Sequence, residues 1–448
     1  MGIGILRKDP ALPGQISRVW KLSIPAILTQ ISTIIMQYID SAMVGSLGAN
    51  ASAAIGLVSS STWLMNGVGA AIATGFSVQV AQYIGADKPA DARRVVKHGM
   101  LVSFLISLLL MGIGIALSGV LPRWLGAERA LWQDAGGYFF VFACAMPVQQ
   151  MHRMAASFLQ CSGNMVVPSI LNTVMCVLDV VFNALLIPRY GVLGAALGTA
   201  LSVVVSALFL LWFCCLRWEP LRLNRREACP TDWSIVKRAW RIGAPVGAEE
   251  AVMCAAMVLS TRIIAPLGAV AIAAHSFAIT AEALCYMPGY GLGAAATTLV
   301  GQSIGAGDHR SARRLGGIAV TMGGVMMGLT GLVMYGICPW VFRLFTPDLQ
   351  VQAMGVQILR IGLLAEPLFG ISIVASGALR GAEDTLVPSV LNLVSLWVVR
   401  LGLSLLLVGP FGLPGVWVAM AVELCVRGVL MLWRQLKSPY LNKKTHAR

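Results

Sequence analysis

The sequence predicts an all-α integral membrane protein of about twelve transmembrane helices, arranged as two parallel six-helix repeats. Three observations carry that expectation. Hydrophobic residues make up 57% of the 448-residue chain and charged residues only 12%, whereas soluble domains are about a quarter charged. The apolar excess therefore has to face lipid. The apolar residues also fall in runs of about 20 or more, the length a helix needs to cross a bilayer core at about 1.5 Å rise per residue. Finally, the stretch QYIGADKPADARR from Gln82 to Arg94 returns as QSIGAGDHRSARR from Gln302 to Arg314, 220 positions later and close to half the chain.

In chain order, the first six runs cover residues 20–46, 53–84, 95–120, 135–158, 164–188 and 191–216. A polar stretch from Arg217 to Arg241 follows. It holds Glu219, Arg222, Arg225, Arg226 and Asp232, too many charges for a span, and reads as a cytoplasmic linker. The second six runs cover 240–266, 270–303, 315–338, 353–378, 385–408 and 412–436. The expected division is an N-terminal six-helix lobe over 1–216, a linker over 217–239 and a C-terminal six-helix lobe over 240–448.

The punctuation repeats along with the spans. Pro25 corresponds to Pro245, Gly48 to Gly268, Pro147 to Pro367, Pro168 to Pro388 and Asn172 to Asn392, all at an offset of 220. After the fifth span the offset is 221, pairing Gly191 with Gly412 and Gly194 with Gly415, which one residue inserted in a loop would explain. Six is an even number, so both halves start on the same side of the membrane and the repeats are parallel. That is the architecture of carriers that rock two bundles around a site between them. The twin-arginine loops are structural: their glycine turns the chain after a helix and their arginines hold the next helix at the anionic leaflet.

Lysine and arginine set the direction. Twenty-five of the 33 fall on one side, in the terminal segments and the loops after even-numbered spans. Arg123, Arg129, Arg189 and Arg343 lie on the other side, and Arg262, Arg360, Arg400 and Arg427 inside spans. Basic residues accumulate in cytoplasmic loops, so both termini are expected there, in a multi-pass protein of a bacterial-type cytoplasmic (inner) membrane. The net charge of +14 then records topology, and no nucleic-acid partner is expected. MGIGILRKDPALPGQ has neither the apolar core of a signal peptide nor a myristoylation signal. The ten cysteines form no CxxC and no Cys/His metal spacing; they are expected to be reduced and structural, and no cofactor is implied.

Three segments resemble a known family. PAILTQISTIIMQYIDSAMVGSLGANASAAIGL in the first half is similar to the opening of the multidrug and toxic compound extrusion (MATE) transporters. TRIIAPLGAVAIAAHSFAITAEALCYMPGYGLGAAATTLVGQSIGAGD and SGALRGAEDTLVPSVLN in the second half resemble them too. The likeness runs over nearly the whole chain. It implies a twelve-helix, two-lobe exporter that exchanges amphipathic, often cationic compounds for H⁺ or Na⁺.

Ionisable groups inside a bilayer are costly and need a partner or a job. Asp40 lies roughly 9 Å outward of the middle of the first span. Asp179 and Asn183 share one face of the fifth span at i, i+4, roughly 4–10 Å outward, and Thr199 of the sixth comes out about 7 Å outward. Four oxygen-bearing side chains thus converge on one depth. At an offset of 220, Asp40 becomes Ser260, Asp179 becomes Val399 and Asn183 becomes Leu403. The second half drops both carboxylates, so one cation site is expected, in the N-terminal half. In the family, residues matching Asp40, Asp179, Asn183 and Thr199 are proposed cation ligands. The family often writes Asn before Asp on the fifth helix, whereas here Asp179 precedes Asn183, which leaves open which acid titrates. Two carboxylates in low dielectric resist double ionisation, so the pair either shares a proton or lodges Na⁺ among carboxylate, amide and hydroxyl oxygens.

Glu249 and Glu250 fall in the seventh span and Glu282 in the eighth. Adjacent helical residues point about 100° apart, so Glu249 and Glu250 cannot share one site equally. Glu250 and Glu282 either face a substrate cavity or pair with arginine, and Gln37, Asn66, Tyr286 and Met287 are expected to line that cavity. MPGYG at 287–291 suggests a bend in the eighth span. Glu423 and Arg427 read as a helix-surface pair, Arg360, Glu366 and Arg400 as interhelical pairs, and His152 as interfacial. Acidic cavity residues favour small amphipathic cations over a pyrophosphate, which a lipid-linked oligosaccharide flippase of a related fold would hold with basic groups. HExxH, GxSxG and paired catalytic acids at a membrane surface are absent, so an integral membrane enzyme is not expected. The sequence reading is a monomeric antiporter working by alternating access.

Overall fold

A computed structural model describes residues 12–125, 128–223 and 232–439. The regular elements among them are all helical: α1 Leu12–Gly45, α2 Ala49–Gly85, α3 Pro89–Ser118, the short α4 Leu121–Trp124, α5 Trp132–Cys161, α6 Val166–Tyr190 and α7 Val192–Trp212. Then come α8 Trp233–Ile264, α9 Ala269–Gly305, α10 His309–Phe345, α11 Leu349–Leu363, α12 Glu366–Gly381, α13 Leu386–Val394 and α14 Gly402–Lys437. A π-helical segment, Ser395–Leu401, joins α13 to α14.

Among the described residues, nine helices are long and apolar enough to cross a bilayer, and α11 with α12, bent by 54°, makes a tenth span. The stretch 386–437 doubles back at Gly412 (φ 60°, ψ −139°), so that Arg400 reaches Met420 across the turn; it counts as two. The 30-residue α5, less apolar because it carries Gln149, Gln150, His152 and Arg153, completes the twelve. The outside of the bundle shows what solvent it meets. On α3, Leu101, Leu105 and Leu109 are 59%, 55% and 64% exposed while Ser103 and Ser107 are buried. A helix that turns leucine out and serine in is solvated by hydrocarbon.

The repeat is written into the backbone. The described residues with φ in the left-handed region form four pairs: Gly48 with Gly268, Asp87 with Gly307, Gly163 with Glu383 and Gly191 with Gly412. Three stand 220 apart and the last 221. At two of them a non-glycine residue now holds a turn that glycine holds in the other half, so the turn geometry has outlasted the residue that adopts it most easily.

The change of offset lies inside a span rather than in a loop. The π segment Ser395–Leu401 sits between Asn392, at offset 220, and Gly412, at 221, and a π turn accommodates one extra residue within a continuous helix. The counterparts of Asp179 and Asn183 are therefore Arg400 and Ser404 rather than Val399 and Leu403. Those of Thr199 and Ser202 are Met420 and Glu423.

Two other expectations change. The helix α9 runs unbroken through Pro288, and its glycines serve close approach: a methyl on Gly291 would stand 2.6 Å from the backbone nitrogen of Ile27. The break falls in the tenth span instead, at Leu364–Ala365, where Pro367 in the first turn of α12 needs no N–H partner. The helix α8 begins at Trp233, inside the stretch read as linker. Arg225, Arg226 and the terminal segments expected in the cytoplasm lie outside the described residues.

The chain forms two compact units, Ser32–Gly247 and Met1–Ile31 with Ala248–Arg448. Both crossings between them fall within helices, in α1 and α8. In the first unit α5 packs on α2, α3 and α7, and α6 pairs with α7, around a core that includes Phe76, Val96, Met154, Phe158 and Leu210. In the second, α9, α10 and α12 pack on one another and α14 packs on α12 and α11. Trp417, Phe342 and Leu359 fill one end of this unit, and Leu292, Leu299 and Leu379 the other.

Candidate functional site

In the first unit, α1, α6 and α7 bring their polar residues to one point. Asp179 and Asn183 stand one turn apart on α6, both fully buried. Asn183 Nδ2 donates to Asp179 Oδ2 at 3.1 Å and to Asp40 Oδ1 at 2.9 Å, so one amide bridges two carboxyls from different helices. The two acids are also within hydrogen-bonding reach of each other, which requires a proton on one of them or a cation between them. The single Ser202 Oγ–H of α7 is shared between Asp179 Oδ1 at 3.3 Å and the Thr199 carbonyl at 2.8 Å. Among the described residues no lysine or arginine pairs with either acid.

Among the described residues the Thr199 side chain makes no hydrogen bond to Asp40, Asp179 or Asn183. Thr199 supplies its backbone carbonyl to Ser202 Oγ at 2.8 Å, and the hydroxyl on Asp179 is that of Ser202, three residues further along the same face. The room for Asn183 comes from Gly198, where a methyl would lie 2.0 Å from Asn183 Oδ1. Tyr138 of α5 stands within electrostatic reach of both acids. Sequence reasoning missed Ser202, Gly198 and Tyr138. The i, i+3 spacing of Thr199 and Ser202 was the available signal for the first, whereas nothing local singles out the other two. Asn183 Oδ1 is buried and has no hydrogen-bond donor among the described residues. The cluster therefore offers a cation an amide oxygen, two carboxyls and a hydroxyl.

The residues expected along a cavity divide between the units. In the first, Gln37 is exposed. Asn66 is tied down by Arg153 of α5, which donates to its carbonyl at 2.7 Å and its Oδ1 at 3.0 Å. Arg153, counted above with cytoplasmic loops, thus lies within a span. His152 bonds Ser206 of α7 at 3.0 Å. In the second unit, Glu250, Tyr286 and Met287 are half-buried and Glu282 is buried, while Tyr286 packs edge-on against Phe369. Glu249 accepts from Ser389 Oγ at 2.7 Å and from Asn392 Nδ2, and lies 3.6 Å from Arg380.

The second-half charges also differ from expectation. Arg427 and Glu423 pair at 3.0 Å in the interior, Glu423 being fully buried, so theirs is not a surface pair. Arg400 donates to Met420 Sδ at 3.0 Å and Arg360 lies over the Tyr335 ring at 4.9 Å. Among the described residues Glu366 has no ion pair. The 54° break between α11 and α12 comes between Arg360 and Glu366, so they do not follow one straight helix face.

Comparison with known proteins fits this geometry. The MatE family profile matches residues 25–185 and 245–406, one copy in each half. A probable multidrug resistance protein NorM of Thermotoga maritima is 27% identical over 425 residues, 92% of this chain and 90% of the relative. The multidrug resistance protein NorM of Burkholderia vietnamiensis is 27% identical over 454 residues, 96% of each. Among solved structures, a MOP-superfamily transporter from Pyrococcus furiosus shares the fold with TM-score 0.91 at 21% identity over 99% of both chains. A MATE protein in a straight conformation does so with TM-score 0.92 at 22% identity, again over 99% of both. With the family matched in both halves of a multi-pass helical membrane protein, the chain belongs to the MatE family of efflux transporters and is not an enzyme.

Proposed function

We propose that this protein is a secondary antiporter that exports small amphipathic, mainly cationic compounds in exchange for H⁺ or Na⁺, with Asp40, Asp179, Asn183 and Ser202 as its coupling site. The observation that carries the reading is the bridging amide of Asn183 between two carboxyls that no cation neutralises among the described residues. Such a site holds either a proton or a small cation well, and its charge changes by one when that ion leaves. A ligand moves a conformational equilibrium only through its different affinity for the two states, and a buried site of variable charge supplies such a difference. The relatives' names, multidrug resistance proteins, support xenobiotic cargo. We place the protein as a monomer in the bacterial-type inner membrane with both termini cytoplasmic, on the distribution of lysine and arginine.

The test is dye efflux from proteoliposomes under separate H⁺ and Na⁺ gradients. Asp40→Asn is expected to assemble normally and lose gradient-driven efflux, a fall of about 100-fold or more for a transport step that needs the charge. The gradient that drives the wild type identifies the ion. Efflux that responds to either gradient equally well in wild type and Asp40→Asn would remove these acids from the mechanism. Movement of a lipid-linked oligosaccharide in place of dye would redirect the cargo assignment.

A further inference from the structure

The second unit carries a buried acid that the proposed exchange does not use. Glu366, the first residue of α12, is 1% exposed, and neither of its carboxyl oxygens has a hydrogen-bond partner among the described residues. Glu282 of α9, 5% exposed, leaves Oε1 equally without a donor and is the charged neighbour that acts on Glu366. Each acid lies beside a glycine of an adjoining helix. Methyl groups there would stand 3.1 Å from the Glu366 side chain at Gly331 of α10 and 3.2 Å from Glu282 Oε1 at Gly362 of α11.

The basic groups around them have other neighbours, although the Nε atoms of Arg360, Arg400 and Arg427 are themselves buried without a hydrogen-bond partner among the described residues. Arg427 of α14 pairs with Glu423 at 3.0 Å and lies over Phe369 at 5.2 Å. Arg400 is bonded to Met420 and sits within electrostatic reach of both Glu423 and Glu282. Arg360 of α11 lies over Tyr335 of α10 and faces Cys338. From α9, Cys285 is directed at the carbonyl of Thr330 (3.9 Å), and the Nδ1 of His275 accepts from Trp417 Nε1 at 3.1 Å. None of these gives Glu366 a donor.

The carboxyl of Glu366 thus stands without an ion pair or a hydrogen-bond donor among the described residues. An ionised carboxylate without a donor is expensive in such a setting, while a neutral carboxyl is far less so. No group of three side chains able to hold a metal ion occurs here among the described residues. We propose that Glu366, with Glu282 as its partner, is a proton-binding site of the C-terminal half, separate from the Asp40–Asp179 cluster. The proton is taken up on a Glu366 carboxylate oxygen from water and returned to water, with no other bond made or broken. Because Glu366 follows the 54° break between α11 and α12, its charge acts where a helix already bends.

The site is a property of the resting protein and does not depend on antiport, so its test is spectroscopic. Infrared pH-difference spectra of the full-length protein in lipid vesicles report un-ionised carboxyl groups directly. With Asp40 and Asp179 both changed to Asn, the carbonyl band of an un-ionised carboxyl should persist at neutral pH. Adding Glu366→Gln should abolish it. Glu282→Gln in the same background, which removes the repelling neighbour, should weaken it. A band that vanishes with the two aspartates, or survives Glu366→Gln, overturns the proposal. Should Glu366→Gln fail to assemble, mass-spectrometric mapping of dicyclohexylcarbodiimide, which modifies un-ionised buried carboxyls, decides on protein that retains Glu366. Adducts on Glu366 are expected, and their absence while other buried acids react refutes the site.

Discussion

Gly198→Ala is the substitution whose cost can be worked out most directly. A methyl at this position would lie 2.0 Å from Asn183 Oδ1, 3.0 Å from its Cγ and 3.1 Å from its backbone nitrogen. Comfortable contact needs about 3.5 Å, so the amide has to retreat by roughly 1.5 Å. Its two bonds, at 2.9 and 3.1 Å, cannot both survive a shift of that size. A hydrogen bond to a charged acceptor contributes about 1.5–3 kcal/mol. Losing one in the ion-loaded state weakens ion affinity about 10- to 100-fold. Crowding adds about 1–3 kcal/mol of destabilisation, partly offset by the better helix propensity of alanine, about 1 kcal/mol. The repeat supplies the control. The corresponding residues of the second half are Ala419 and Ser404, 0% and 1% exposed, so the methyl is accommodated where the long amide is missing. Ion-dependent efflux and thermal unfolding are the assays. Gly198→Ala should need a much higher ion concentration for half-maximal efflux and should unfold earlier. Adding Asn183→Ser should recover the stability and not the coupling. A single variant with wild-type ion dependence and stability, or a double variant as unstable as the single, refutes the close-packing argument.

Further outcomes follow from the same geometry. Ser202→Ala removes a hydroxyl 3.3 Å from Asp179 and should weaken ion dependence by about 0.5–1.5 kcal/mol, whereas Thr199→Ala leaves its backbone carbonyl in place and should change it less. Gly428→Ala would set a methyl 2.4 Å from the carbonyl oxygen of Leu368; backbone cannot rotate away, so a loss of about 2 kcal/mol or more is expected in denaturation. Gly336→Ala meets nothing within 4 Å and should be neutral or slightly stabilising. At the start of α8, the side chain and then the backbone N–H of Ser234 hold the Asp232 carboxyl below its usual range. That cap is fully present above the unfolded value of about 3.9 and fades as pH falls through the lower folded one. Amide exchange at Ser234 should accelerate only in that acid window, and Asp232→Asn, whose side chain also caps, should flatten the dependence.

Much of the architecture was readable because the physics behind it is one-dimensional. Apolar runs of bilayer length, and glycines and prolines recurring at a fixed offset, identify twelve spans and two repeats without tertiary information. The cluster of Asp40, Asp179 and Asn183 was accessible for the same reason: depth along a helix follows from rise per residue, and Asp179 and Asn183 share a face by their spacing. What failed needed the third dimension. Ser202 rather than Thr199 reaches Asp179 because of how α7 is rotated against α6, and three residues along one face have almost the same depth. Gly198 matters only through the amide opposite it. Pro288 reads as a helix break, yet α9 continues because neighbouring helices crowd against its glycines, while the break appears before Pro367. The π segment was invisible for a deeper reason, since an inserted residue shows in sequence only as a change of offset, with no mark of whether a loop or a helix absorbed it.

That last distinction bears on mechanism. Had the extra residue gone into a loop, Val399 and Leu403 would stand opposite Met420 and Glu423, and the second half would have an apolar plug where the first has its acids. Absorbed in the π segment, it turns Arg400 into the place of Asp179 and Ser404 into that of Asn183. Glu423, in the place of Ser202, pairs with Arg427 one turn along its own helix, with Arg400 within electrostatic reach. On the proposed reading the two halves offer opposite versions of one site, acids that take a cation from outside and an acid, Glu423, that already has one attached. A tethered cation cannot leave, so it has the same chemical potential whatever the gradient across the membrane, and a gradient does work only through an ion that dissociates. On the antiport reading, coupling to an external metal ion must then fall to the first half. In the second, the charge left free to vary is the proton on Glu366.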